Sequence, residues 1–272
     1  MPIEKTYYWP TWLFDSFNSS LKDETQKCLF GQAQTHLWRA LNIYDDFLDN
    51  EGEPKELSSA NYHFRSFLKI IYTAKLPKYF YLWAENKLLI LEKANKLEVS
   101  TRITLINEGI ITIPKSLPHF NNLTKLSEKS LALAIAPVAL LIKNGIIKEN
   151  KELKIINDFF KYGLAAKQLS DDASDWLEDL KNNTITAVNV LILKEAKNKK
   201  IKLNINRRPE ILYLLFIEAV AGKTCYNILN LCAKAKKEAA KLGLENQAPI
   251  ILKLIKPLET AAQKALNFKK ML

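Results

Sequence analysis

A chain of 272 residues with 48% hydrophobic residues and only 7 glycines is long enough to bury a sizeable core, which excludes a disordered or fibrous class. Its net charge of +11 comes mainly from scattered lysines without interleaved aromatics. That argues against nucleic acid as a partner and suits anionic diphosphates or an acidic membrane surface.

Helical spacing dominates from end to end. Met1 to Leu21 is aromatic-rich and carries acids rather than a basic region followed by an apolar run, so no signal peptide is expected. A first helix is predicted from about Lys22 to Asn50, stopped by Glu51-Gly52-Glu53-Pro54. Further helices are predicted at about Leu57–Lys75, Lys78–Leu97, Leu126–Asn144, Lys151–Lys181, Ala187–Lys199, Pro209–Gly243 and from Ala248 to the end. Gly145, Gly243 and Pro249 fall at boundaries. Alternating strand patterns are missing, and the nearest, Ile110 to Ile113, is short. Leu131 to Ile142 is apolar on every side, as a central buried helix should be, and Pro137 should kink it. It is the longest apolar run and too short to span a bilayer. Cys28, Cys225 and Cys232 form no CxxC pair and are odd in number, which argues against a disulfide framework or zinc site and for the cytoplasm. The expected fold is all-α, a single domain of eight or more helices.

Two helix ends carry the chemistry. The first reads Asp45-Asp46-Phe47-Leu48-Asp49. Asp45 and Asp49 lie one turn apart and project together. Their helix has Phe30, Leu37, Leu41, Tyr44 and Leu48 as its apolar stripe. At 100° per residue Asp45 falls about 40° from Leu41 and Asp49 about 80° away, on the shoulder of that stripe. The second end runs from Gln168 to Asp179, where Asp171, Asp175 and Asp179 repeat every four residues. Upstream, the same face carries Leu153, Ile156, Phe160 and Leu164, so an apolar stripe turns acidic within one helix.

Both clusters are awkward alone. Carboxylates one turn apart repel, and both sit toward helix C-termini, where the macrodipole disfavours negative charge. All the ligand atoms are oxygens, which suits a hard cation, Mg²⁺ or Mn²⁺. Magnesium held by few carboxylates keeps positions open for phosphate oxygens. The plainer reading of either cluster is an acidic helix end that merely solvates. Two such ends on separate long helices, each beside an apolar face, favour the metal.

Over about Phe30 to Leu193 these residues resemble the class I isoprenoid synthases: trans-prenyl diphosphate synthases, squalene/phytoene synthases and class I terpene cyclases. Asp45 to Asp49 resembles the first DDxxD motif, and Phe160 to Asp172 the helix leading to the second. Lys129-Ser130, ahead of the apolar helix, is similar to the Lys-Thr pair that supplies a diphosphate-binding lysine. Arg39-Ala40-Leu41, Gln168 and Asp175-Trp176-Leu177-Glu178-Asp179 are similar to the squalene/phytoene branch. The i, i+4, i+8 spacing of Asp171, Asp175 and Asp179 is similar to that of cyclase metal motifs.

The resemblance implies a helical bundle around a central cavity. It implies Mg²⁺ (or Mn²⁺) bound by Asp45, Asp46, Asp49, Asp171, Asp172, Asp175 and Asp179, with Asp45, Asp49, Asp171 and Asp175 essential to catalysis. Arg39, Lys129, Lys167, Gln168 and Lys181 are the expected diphosphate-binding groups. Lys167 reads equally well as the partner of Asp171, one turn on. Tyr44, Phe47, Phe160, Leu164 and Trp176 are candidate walls for an allylic cation, and each also reads as plain core. His36, His63 and His119 read as isolated structural or surface residues. No GGKRxRP-type motif precedes the first acids, and Asn50 to Pro54 contains no arginine. Groups that would bind an isopentenyl acceptor are thus missing, which favours a terpene synthase acting on one prenyl diphosphate. Two alternatives stand beside it: a prenyltransferase joining two prenyl units, and a non-catalytic helical module binding a lipid or partner. A homodimer and peripheral membrane contact are compatible with this reading.

Overall fold

The computed structural model describes residues 6–17, 24–49, 51–101, 106–107 and 109–271. Helix dominates among them, as the spacing of apolar residues predicts. Lys22 and Asn50, expected at the ends of the first acidic helix, and residues 1–5 and 18–21 of the N-terminal stretch lie outside the described residues. The chain folds into two compact units, each built from segments distant in sequence.

The first unit comprises Met1–Asn95, Glu128–Lys161 and Ala235–Leu254. It contains α1 (Trp9–Asp15), α2 (Glu24–Leu48), α3 (Leu57–Thr73) and most of α4 (Lys78–Thr101), then α5 (Ile135–Lys143) and the start of α6 (Asn150–Lys181). The broadest contact is between α2 and α3, and both α1 and α2 pack on α5. Every residue of α5 from Ile135 to Ile142 is buried, which fits its all-round apolarity. Trp9 stacks on Phe160 with centroids 6.4 Å apart. Ser16 Oγ donates to the Trp12 carbonyl at 2.6 Å and accepts from the Ile250 amide at 3.0 Å, joining two ends of the sequence. Lys143 Nζ donates to the Ala74 carbonyl at 2.9 Å, placing a cation at the C-terminus of α3, where the macrodipole favours it.

The second unit comprises Lys96–Ser127, Tyr162–Lys234 and Ile255–Leu272. It holds the end of α6, then α7 (Ala187–Asn198), α8 (Pro209–Leu215), most of α9 (Gly222–Ala240) and α10 (Lys256–Met271). Thr186 caps α7, its side chain accepting from the Asn189 amide. Trp176 of α6 stacks on Phe216 at 5.0 Å and meets Tyr213 edge-on at 5.4 Å.

Three departures from expectation have local causes. The predicted helix Leu126–Asn144 is broken: Leu123–Ser127 and Leu131–Ala134 are 3₁₀ turns, and α winding starts only at Ile135. Pro137 has no N–H to offer the Leu133 carbonyl, so the change of winding falls in the turn it interrupts. A small antiparallel sheet joins β1 (Ile106–Asn107), β2 (Ile110–Ile111) and β3 (Leu203–Asn204). Strands of two residues are too short to show alternation. Gly109 sits beside them at φ +80°, and a Cβ there would come 2.5 Å from the Asn206 side chain. Finally, Leu131–Ile142 is the longest uninterrupted apolar run, yet it is not the helix that meets the length and composition of a membrane span. The continuous helical run Pro209–Ala240, π-wound at Phe216–Ala221, is long and apolar enough to cross a bilayer by length and composition, with 39% of its apolar window buried.

Candidate functional site

In α2 the core-facing residues are Phe30, Ala33, Gln34, Leu37 and Ala40. Full burial stops there; Leu41, Tyr44 and Leu48 are half-buried, so the last two turns emerge from the packing just where the acids begin. Asp45 lies 3.0 Å from Lys129 Nζ, the lysine ahead of the apolar helix. The Asp46 carbonyl accepts from the amides of Glu51 and Gly52 at 2.8 and 2.9 Å, turning the chain back at the helix end. A Cβ on Gly52 would come 2.7 Å from the Phe47 ring, so only glycine fits this turn unstrained. The Asp46 carboxyl is pushed above the usual carboxylate range, first by partial desolvation and then by the charges of Asp45, Glu56 and Asp49. Asp49 is exposed at the end of the same turn.

Other expected groups of this unit take distinct places. Tyr44 donates its hydroxyl to Asn61 Oδ1 at 2.8 Å, tying α2 to α3 rather than standing free as a wall. Phe160 is fully buried between Trp9 and Phe159. Arg39 is exposed and close enough for its charge to act on His36 and His63. Those two histidines are not isolated: their Nδ1 atoms meet at 2.8 Å across the α2–α3 contact. Their separation in sequence hid a pairing that only helix packing creates. Gln34 was not anticipated at all. It is fully buried, and neither its Oε1 nor its Nε2 has a hydrogen-bond partner. It stands three turns before Asp45 and within about 20° of it on the helix wheel.

In the second unit Lys167 pairs with Asp171 one turn on, the plainer of its two readings. Gln168 Nε2 donates to Asp172 Oδ1 at 2.9 Å. Asp172, with 4% of its surface exposed, is the buried acid of this cluster, whereas Asp175 is exposed and Asp171 half-exposed. The buried row continues Ile156, Phe160, Leu164 into Asp172, Trp176 and Leu180, not into Asp171, Asp175 and Asp179. A four-residue step advances the row about 40° per repeat, so a long helix turns its buried face gradually. Asp179 is half-exposed, Lys181 is exposed, and Trp176 is packed against Phe216 and Tyr213.

Among the described residues no three His, Cys, Asp or Glu side chains form a ready-made metal cage. The donor chemistry nevertheless fits a hard cation. Every candidate ligand atom is a carboxylate oxygen, and Asp45, Asp49 and Glu56 add their repulsion to the desolvation that raises Asp46. One or two carboxylates per ion is the usual protein share for magnesium that also binds phosphate. No protein-family model matches the chain, and no curated protein matches it.

Proposed function

We propose that the protein ionises an allylic prenyl diphosphate with release of diphosphate, as a class I terpene synthase of the isoprenoid-synthase fold, in one helical domain around a central cavity. The observation that carries this reading is the 3.0 Å pairing of Lys129 with Asp45. A lysine ahead of the buried helix and the first residue of the DDxxD-like segment, far apart in sequence, are brought together as a diphosphate–metal site requires. Asp45, Asp46 and Asp49, and separately Asp171, Asp172, Asp175 and Asp179, supply the carboxylates that would hold Mg²⁺ or Mn²⁺. When bound, such ions act as Lewis acids on the phosphate oxygens and neutralise the charge of the leaving group.

The chain's own groups do the rest. In the first unit Lys129 exchanges its bond to Asp45 for a phosphate oxygen and Arg39 adds a donor; in the second, Lys167, Gln168 and Lys181 offer donors of the same kind beside Asp171 and Asp172. Phe160 and Trp176, each packed inside its own unit, back an apolar environment that excludes water from the allylic cation.

The test is incubation with geranyl, farnesyl and geranylgeranyl diphosphates and Mg²⁺, following diphosphate release and extractable products. Release with a hydrocarbon or alcohol, abolished by EDTA, is the expected result. A longer diphosphate or a squalene-like product would assign a prenyltransferase instead. Tight prenyl-lipid binding without release would make the protein a non-catalytic module and overturn the reading.

A further inference from the structure

Away from both acidic segments, the first unit buries a lysine that makes no ion pair among the described residues. Lys87 of α4 has 6% of its surface exposed, and its Nζ lies 5.4 Å from the centroid of the Trp83 ring one turn back. The Trp83 indole Nε1 is itself buried without a hydrogen-bond acceptor. Lys161 of α6 is near enough for its charge to act on Lys87. The nearby carboxylate is Asp158, which accepts from Asn157 Nδ2 at 3.4 Å. Asn157 Oδ1 is also buried and unpaired. Two ammonium groups and one carboxylate thus share this region, and the ring that carries the unused indole donor lies beside Lys87.

We propose that Lys87, Lys161 and the Trp83 indole N–H form a binding site for a small oxyanion, a phosphate or carboxylate group either free or carried on a larger ligand. A buried ammonium is costly unless it is paired, and the ring face offsets only part of that cost. Asp158 balances one lysine and leaves one positive charge in excess. An oxyanion neutralises that excess and accepts a hydrogen bond from the orphaned indole N–H. The direction of the Lys87 titration agrees: burial first, and then the Lys161 charge, lower its pKa, while Asp158 opposes them. A bound oxyanion acts against that lowering, because it favours the ammonium form. None of these residues takes part in the diphosphate reading, so the two stand or fall separately.

The test follows the Trp83 indole ¹H–¹⁵N signal, assigned with Trp83→Phe, while inorganic phosphate or acetate is titrated against chloride at matched ionic strength. A saturable movement with at least one of them supports the site, and which one answers names the group. Lys161→Met, at a half-exposed position that tolerates change, weakens the affinity about tenfold, and Lys87→Met abolishes the saturable movement. No movement beyond the chloride control, or the same movement in folded Lys87→Met, overturns the proposal.

Discussion

Lys129 and Asp45 are 30% and 46% exposed, so their pair is worth no more than about 1 kcal/mol. A pair this weak is easily exchanged for a phosphate or a metal. Asp45→Asn is therefore expected to leave the urea midpoint within the range of a surface change, roughly 0.5 kcal/mol. Diphosphate release should fall by about 100-fold, the scale of losing one transition-state charge stabiliser. Equal loss of stability and activity would assign Asp45 a structural role. The His36–His63 contact makes a different prediction. One ring must donate and the other accept, and burial, followed for His63 by the His36 charge and for both by Arg39, lowers both pKa values from the ordinary 6.5. The unfolded chain then binds more protons than the folded one. Stability is fully present above about pH 6.5 and is lost as pH falls through the lowered folded values. Asp46 acts in the opposite sense, since its raised carboxyl relieves repulsion on protonation at lower pH. Urea midpoints at pH 7.5 and 5.5 should drop for the native chain and drop less for His63→Gln. An equal drop in both would remove the pair as the cause.

At the scale of the element, α5 is the post on which α1 and α2 lean. Leu140 is fully buried there, and Leu140→Ala should cost about 2–5 kcal/mol in urea unfolding, depending on how far the site collapses. A cost below about 1 kcal/mol would mean that the helix is not packed as described. The long helix α6 carries a different lesson. Its apolar row from Ile156 was plain in the sequence, but the row's drift meant that Asp172, not Asp171, would be the buried acid. A wheel places Asp171 and Asp172 about 100° apart, but which of the two is covered is decided by the neighbouring helices.

For the whole molecule, a charge of +11 makes the protein a candidate for anionic surfaces. Co-sedimentation with phosphatidylserine vesicles should be strong at 20 mM NaCl, weak at 300 mM and absent with phosphatidylcholine, because exposed charges are screened over a Debye length. Binding unaffected by salt would place the affinity in exposed apolar residues such as Leu214 and Ile217 instead. The grouping of the chain into two units, each drawing on three separated segments, belongs to this scale too.

Composition and periodicity alone determined that the chain is helical, that Leu131–Ile142 is buried, and that oxygen-rich acids cluster at two helix ends. These follow from local propensity and from side-chain spacing along one helix, which depend only on neighbours in sequence. The tertiary structure decided the rest: Lys129 beside Asp45, His36 against His63, Asp172 turned inward, Tyr44 held by Asn61, and a buried Lys87 with Trp83. Apart from the ring beside Lys87, which is one turn away on the same helix, each is a contact between separate segments or a choice of covered face, and so depends on packing that no spacing within a single segment encodes.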